Sequence, residues 1–290
     1  MKAFVSLLLP VAMLLLAGEA GAQSGEDPPA WLLLERGHLQ FEEGAFSDAL
    51  RSYQDALAEA GVMPEAELGI ARVYNAQGDP LLAVRFYEQA LDQEDQFDPP
   101  GLSHQARLEL AELYRIEQPS RYEEVLLEIV AEDTIFSDPD QESTKTQMRE
   151  LLFEDGLDRL LVLYRLEEPF STDAHLRLAE YYLRGRRDAA FDHALFGVVK
   201  IYSEAIAAYR ERNFDYEFDS VPRFHEVIRR DRVIRTYLRE SGVYKALYDL
   251  ALAAELYRPR SGASQAVMES LASLEDGGRW SQRARQFLAP

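Results

Sequence analysis

Residues 34 positions apart repeat near the start of this chain. Gly44 and Gly78, Ala49 and Ala83, Tyr53 and Tyr87, Ala56 and Ala90, and Leu57 and Leu91 all stand at that offset. Five coincidences at one spacing mark a recurring structural unit, and such a unit must stack on its neighbours because it cannot bury its apolar face alone. The residue types say what the unit is. The glycine closes a first helix, over about residues 29–43 and again 64–77, because it takes the left-handed conformation without steric cost. Apolar residues at three- and four-residue steps then predict a second helix over about 47–59 and 80–93, one-sided towards a core. Ala49 and Ala83 are small where the paired helices cross. Tyr53 and Tyr87 are large and would fill the groove between one unit and the next.

These residues resemble the tetratricopeptide repeat, a helix–turn–helix unit of the same length. The family's small first-helix residue falls at Gly37 and Ala71, and its turn glycine at Gly44 and Gly78. Its second-helix Ala, aromatic and Ala fall at Ala49, Tyr53, Ala56 and at Ala83, Tyr87, Ala90. The first-helix aromatic is Tyr74 in the second unit. In the first unit that place holds Gln40, with Phe41 beside it. A degenerate third unit carries Ala111 and Tyr114, then Tyr122, Val125 and Ile129 after Pro119. The expected organisation is therefore an all-α repeat solenoid with units at about 30–63, 64–97 and 104–133. Residues 134–147, acidic and containing Pro139, read as a linker or mobile loop. Residues 148–290 read as helical but divergent, with helices near 148–165, 188–212, 223–240, 243–257, 264–274 and 279–288.

The N-terminus reads as a cleavable export signal. Lys2 precedes an apolar stretch of about 15 residues, short of the roughly 20 a spanning helix needs, and Ala20-Gly21-Ala22 supplies a small-residue cleavage site. Residues 1–22 are thus expected to be removed, with an uncleaved anchor as the alternative. The rest of the chain has no second apolar stretch suited to a membrane span. There is no cysteine, and neither Asn75 nor Asn213 is a glycosylation acceptor. Export without disulfides points to a bacterial envelope, periplasmic or secreted.

Charge is unevenly spread. Residues 23–170 hold 33 acidic against 11 basic side chains, a net of −22, whereas residues 171–290 hold 17 against 19. Such acidity argues against nucleic acid as a partner. Catalytic signatures are missing from the sequence. His38, His104, His175, His193 and His225 are scattered without metal-ligand spacing. The chain has no cysteine nucleophile, phosphate-binding glycine loop or nucleophile elbow. The expectation is a non-enzymatic protein that needs no cofactor or metal.

The resemblance implies a concave groove lined by first helices, holding a peptide or helix of a partner protein. Carried onto this chain, the groove positions are Leu34, His38 and Phe41 in the first unit. Leu68, Arg72 and Asn75 follow in the second, and Leu108, Glu112 and Arg115 in the third. The lysines of the family's carboxylate clamp are replaced by Leu34 and Leu68, which sets aside chaperone-tail recognition. A second surface stands out further on. Arg223, Arg229, Arg230, Arg232, Arg235 and Arg239 interleave with Phe224, Val227, Ile228, Ile234, Tyr237 and Leu238, the pattern of an amphipathic helix with a basic outer face. It reads either as a solvated face with local ion pairs or as a docking patch for an acidic partner, including a neighbouring copy. The functional expectation is an adaptor or scaffold holding an envelope component. The alternatives are a membrane-associated or self-assembling structural component, and a regulatory subunit of an envelope hydrolase.

Overall fold

The computed structural model describes residues 28–166 and 169–289. The expected export signal lies outside the described residues. Sixteen α-helices and no strand occur among the described residues, and none of these helices is long and apolar enough to cross a membrane.

The first six helices pack as consecutive pairs. They are α1 (Ala30–Glu42) with α2 (Phe46–Ala60), α3 (Pro64–Gln77) with α4 (Pro80–Leu91), and α5 (Leu102–Tyr114) with α6 (Pro119–Ala131). Helix α2 also packs on α3, and α4 on α5. Proline opens α3, α4 and α6, where its missing N–H costs no helical bond. The first two turns close alike. Gly44 and Gly78 have φ of +77° and +78°. The Ala45 N–H donates to the Gln40 carbonyl at 2.8 Å, and the Asp79 N–H to the Tyr74 carbonyl at 2.9 Å. The pattern of positions 34 apart therefore reproduces a backbone geometry, not only a composition.

Inside these pairs the small and large residues divide the space as their sizes require. Ala49, Ala56, Ala83 and Ala90 are fully buried, and the Tyr53 and Tyr87 rings are as deeply enclosed. Tyr53 packs against two helices at once. A Cβ added at Gly37 of α1 would lie 2.5 Å from the ring, and one at Gly69 of α3 also 2.5 Å. A tyrosine at this place is possible because both facing positions lack a side chain.

The chain after α6 departs from expectation. Residues 134–147 are structured: α7 (Thr134–Ser137) follows directly, and α8 (Glu142–Glu154) begins within the segment. Asp133 caps α7, accepting the Phe136 N–H at 3.2 Å, while Ile135 and Phe136 pack on the core. A carboxylate cap with two apolar residues behind it suffices to order a segment that is otherwise polar. The single helix expected over 148–165 is two, α8 and α9 (Gly156–Leu163). They break at Gly156, whose φ is +85°.

Next come α10 (Thr172–Tyr182) and α11 (Arg187–Arg210), packed on each other, with α6 against α10. Helix α11 is buried on nearly every side from Ala190 to Ile206, as its apolar residues all round require. The basic segment 223–240 is likewise not one helix. It divides into α12 (Val221–Val227) and α13 (Arg232–Glu240), because the Asp231 carboxylate turns the chain by accepting the Val233 and Ile234 N–H groups at 3.1 Å. Helices α14 (Val243–Tyr257), α15 (Ala263–Ser273) and α16 (Gly278–Leu288) complete the chain, α14 resting on α11. The larger apolar core runs without interruption from Leu68 to Ala284, and a smaller one centred on Tyr53 serves α1–α3.

Candidate functional site

The nine groove residues expected from the sequence lie on α1, α3 and α5, Arg115 at the C-cap of the last, but they do not form one open surface. On α1, Leu34, His38 and Phe41 are half-buried. Phe41 rests on Phe46 across the turn with ring centroids 5.7 Å apart, and His38 meets the Tyr53 ring edge at 5.6 Å. On α3, Leu68 is 2% exposed and belongs to the core. It belongs to the larger core that α3 shares with α4 and the later helices, so it is withdrawn from any ligand.

Arg72 holds Glu109 of α5 in a two-point bridge, Nε to Oε2 at 2.9 Å and Nη2 to Oε1 at 2.8 Å. Tyr87 donates its hydroxyl to Glu109 Oε2 at 2.9 Å. Arg72 therefore ties the second helix pair to the third, where the sequence suggested a ligand contact. Asn75 is exposed. On α5, Leu108 is half-buried, while Glu112 and Arg115 are exposed and paired at 2.9 Å. Arg177 of α10 donates to the Leu108 carbonyl at 2.8 Å and reaches Glu112 at 3.2 Å. The exposed side of α5 is thus tied to α10.

Beside Leu108 this face opens into a cleft of about 430 Å³. One wall is His104, Gln105 and Leu108 of α5; the floor is Phe170 and Thr172 at the start of α10. The far wall brings Asp173, Glu204 of α11, and Tyr237 and Glu240 of α13. The His104 ring stacks on Phe170 at 4.4 Å and bonds Glu132 at 2.8 Å. Tyr237 donates its hydroxyl to Glu204 at 2.7 Å. Burial and the neighbouring Glu204 charge push the Tyr237 phenol well above its ordinary range, so it stays a donor. Apart from Leu108, no expected groove residue lines this cleft. Its walls come from residues far apart in sequence, and no local pattern announces it.

Half of the arginine-rich surface is neutralised from within. Arg223 pairs with Glu226 at 2.6 Å, Arg229 with Glu275 at 2.8 Å, and Arg235 with Asp276 at 2.9 Å. Arg230, Arg232 and Arg239 are exposed. Arg232 and Arg239 share a polar cleft of about 460 Å³ with Arg235 and Tyr244.

A polar cluster that the sequence did not announce is sealed between α6, α10 and α11. Asp133, fully buried, accepts at Oδ2 from Lys200 at 2.7 Å, from Ser171 at 2.8 Å and from His175 Nε2 at 3.3 Å. His175 Nδ1 faces His193 Nδ1 at 2.9 Å. Burial alone would raise the Asp133 carboxyl, but the bonds from His175, Lys200 and Ser171 outweigh it and hold it well below the usual range. Burial lowers both histidines below their ordinary range, so the rings are neutral. His175 then carries its proton on Nε2, facing Asp133, and accepts at Nδ1 from His193. A serine, a histidine and an aspartate together suggest nucleophilic catalysis, but the connectivity opposes it. Both Ser171 and His175 spend their donors on the same carboxylate oxygen, so no base faces the hydroxyl. None of the three is exposed to solvent. The cluster locks helices together.

No family model matches the chain. An uncharacterized protein of Borreliella burgdorferi is 20% identical over 263 residues, covering 81% of this chain and 81% of that protein. An uncharacterized protein of Treponema pallidum is 23% identical over 142 residues, covering 48% of this chain and 38% of that protein. The first similarity spans most of both chains, and neither carries a named function.

Proposed function

We propose that this chain is a non-enzymatic interaction scaffold of the bacterial envelope, a tetratricopeptide-like solenoid that holds an extended peptide or helix of a partner protein along its first helices. The observation that carries the reading is the cleft at Leu108, which α5, α10, α11 and α13 bound together. Three features support it. The first two pairs share one turn geometry at positions 34 apart. Helices α3, α5 and α10 are tied in succession by Arg72–Glu109 and Arg177–Glu112. The Asp133 cluster, which has the residue types of a catalytic site, is sealed and self-satisfied. The envelope assignment rests on the export signal read from residues 1–22.

The test is crosslinking in cells that export the tagged chain, with mass spectrometry of captured species. Gln105→Trp would plug the cleft from an exposed position of α5. Recurrent capture of one envelope protein, lost in that variant, supports the scaffold. Capture that survives the plug moves the partner elsewhere on the molecule. Capture of its own copies alone favours a self-assembling structural component, for which the exposed Arg232 and Arg239 and the net −22 of residues 23–170 would be the complementary surfaces.

A further inference from the structure

The cleft at Leu108 is lined by carboxylates and by no cation of its own, although Glu240 also borders the cleft of Arg232, Arg235 and Arg239, and Glu204 one lined by Arg165, Lys200 and Arg210. Asp173, Glu204 and Glu240 are exposed on its far wall, and no lysine or arginine lines it. Several carboxylates elsewhere that face a neighbouring helix meet a guanidinium: Glu109 meets Arg72, Glu112 meets Arg177, Asp192 meets Arg149 and Glu150 meets Arg258. Among the described residues, Asp173 and Glu240 make no ion pair, and Glu204 has only the neutral Tyr237 hydroxyl. Three carboxylates around one cleft repel one another, and a cationic group placed between them would relieve that repulsion.

A second observation points to a ligand independently of charge. Thr172, at the floor of the cleft, is only 7% exposed, and its hydroxyl has no hydrogen-bond partner. His104 Nδ1, on the opposite wall, is also buried without one. Buried polar atoms are almost always paired, so two orphans on residues lining one cleft mark hydrogen-bonding capacity that the free protein leaves unmet. Phe170 and Tyr237 offer ring faces, and Leu108 an apolar wall, to the methylene stem of a long side chain.

We propose that the occupant of this cleft is an extended segment of a partner protein carrying lysine or arginine, its cation among Asp173, Glu204 and Glu240 and its backbone against Thr172 and His104. This rests on the scaffold reading and specifies the chemistry of the partner. Complementarity of this kind sets encounter rate and partner choice more than raw affinity.

The test is fluorescence anisotropy of the full chain with a labelled peptide alternating lysine with leucine and serine, at about 0.15 M salt. Its counterpart with glutamate for lysine is the control. The triple variant Asp173→Asn, Glu204→Gln, Glu240→Gln removes the three charges, and the amide oxygen introduced on α11 can still accept from Tyr237. It should weaken lysine-peptide binding about tenfold, as three exposed ion pairs of ordinary strength would. A matched triple, Glu43→Gln, Glu59→Gln, Glu117→Gln, neutralises exposed carboxylates elsewhere and should change it less than about twofold. Equal weakening by both triples would show attraction to the overall charge and overturn the proposal, as would no weakening by either. Thr172→Val gives an independent reading. Because the hydroxyl has no partner in the free protein, the variant should melt higher while binding the lysine peptide about threefold to tenfold more weakly. A higher melting temperature with unchanged binding overturns the role of the hydroxyl. Self-association that excludes the peptide would assign the cleft to a second copy and overturn the proposal. Failure of the scaffold reading looks different, because the chain would then capture no partner in cells whatever the peptide titration shows. If the Gln105→Trp plug abolishes capture while the charge triple leaves it intact, the cleft keeps its partner and only the basic character is refuted.

Discussion

The contact of Tyr53 with Gly37 and Gly69 makes an unusual prediction, because replacing a helical glycine with alanine should destabilise this protein. In an ordinary helix the exchange gains about 1 kcal/mol of helix propensity. Here a Cβ at Gly69 would stand 2.5 Å from Tyr53 Cζ and 2.6 Å from Cε1, distances that require the ring or α3 to move. Tyr53 is 1% exposed and enclosed by Ala49, Ala56 and Ile70 of the same core, so the ring has little room to give. Overpacking of this kind costs about 1–3 kcal/mol, and Gly69→Ala should therefore lose up to about 2 kcal/mol net. In a Tyr53→Leu background the clashing ring atoms are gone, and the same substitution should gain up to about 1 kcal/mol. Urea unfolding followed by circular dichroism measures both changes. The signature is the reversal of sign between backgrounds, a coupling expected of residues that share one packed space. If Gly69→Ala stabilises the wild-type chain, or destabilises both backgrounds equally, the tyrosine does not occupy the space described and the reasoning is wrong.

Other perturbations address other joints of the molecule. Ala83→Leu places three more carbons at a fully buried crossing of α3 and α4 and should cost about 1–3 kcal/mol in thermal melting; an unchanged melting temperature would put that alanine outside the interface. Asp133→Asn removes the carboxylate charge beside the buried Lys200 ammonium and should cost about 3–5 kcal/mol in urea unfolding, whereas a loss below about 1 kcal/mol would mean the cluster does not tie the helices. Acid should destabilise the fold through its buried histidines. Burial lowers His225 to about 4 from 6.5 and also lowers His175 and His193, so below 6.5 the unfolded chain binds more protons than the folded one. Stability is then fully present above 6.5 and lost as pH falls towards 4, by about 2 kcal/mol at pH 5 for His225 alone; a melting temperature flat from neutral pH to pH 5 would contradict this.

How much of this was legible depends on how local each feature is. The paired helices of residues 30–91 announce themselves because glycine, alanine and tyrosine recur at a fixed offset, and each obeys a constraint within its own unit. Helix breaks are harder to see where apolar residues continue across them. Leu151 to Leu161 and Phe224 to Leu238 read as single helices, yet Gly156 and Asp231 interrupt them through backbone conformation and capping. Leu68 was misplaced for a related reason. Its spacing puts it on the same side of α3 as Arg72, but only the neighbouring helices decide that one is core and the other edge. The Asp133 cluster and the cleft at Leu108 have no sequence signature. Their members come from α5, α10, α11, α13 and the segments that lead into α7 and α10, and Asp133 itself sits in an acidic run where a buried carboxylate looks like any other.

The way positive charge is spent explains why the N-terminal half meets its surroundings as an acid. Residues 23–170 have 11 basic side chains, and the best placed of them are committed internally. Arg72 bridges to Glu109, Arg149 to Asp192, and the nearly buried Arg107 is held by Glu94 while also reaching Glu128 and Glu132. Each joins separate elements, so each is fixed by the packing it supports and cannot turn outward to balance the surface. The excess carboxylates are left facing solvent, with Asp173, Glu204 and Glu240 as their continuation onto the later helices. Ionic screening acts over about 8 Å at physiological salt, far enough for neighbouring carboxylates to act together on a ligand in the cleft but not across the whole molecule. A basic segment bound there should therefore be released as salt rises, while the internal bridges, shielded by the helices that hold them, keep the fold intact.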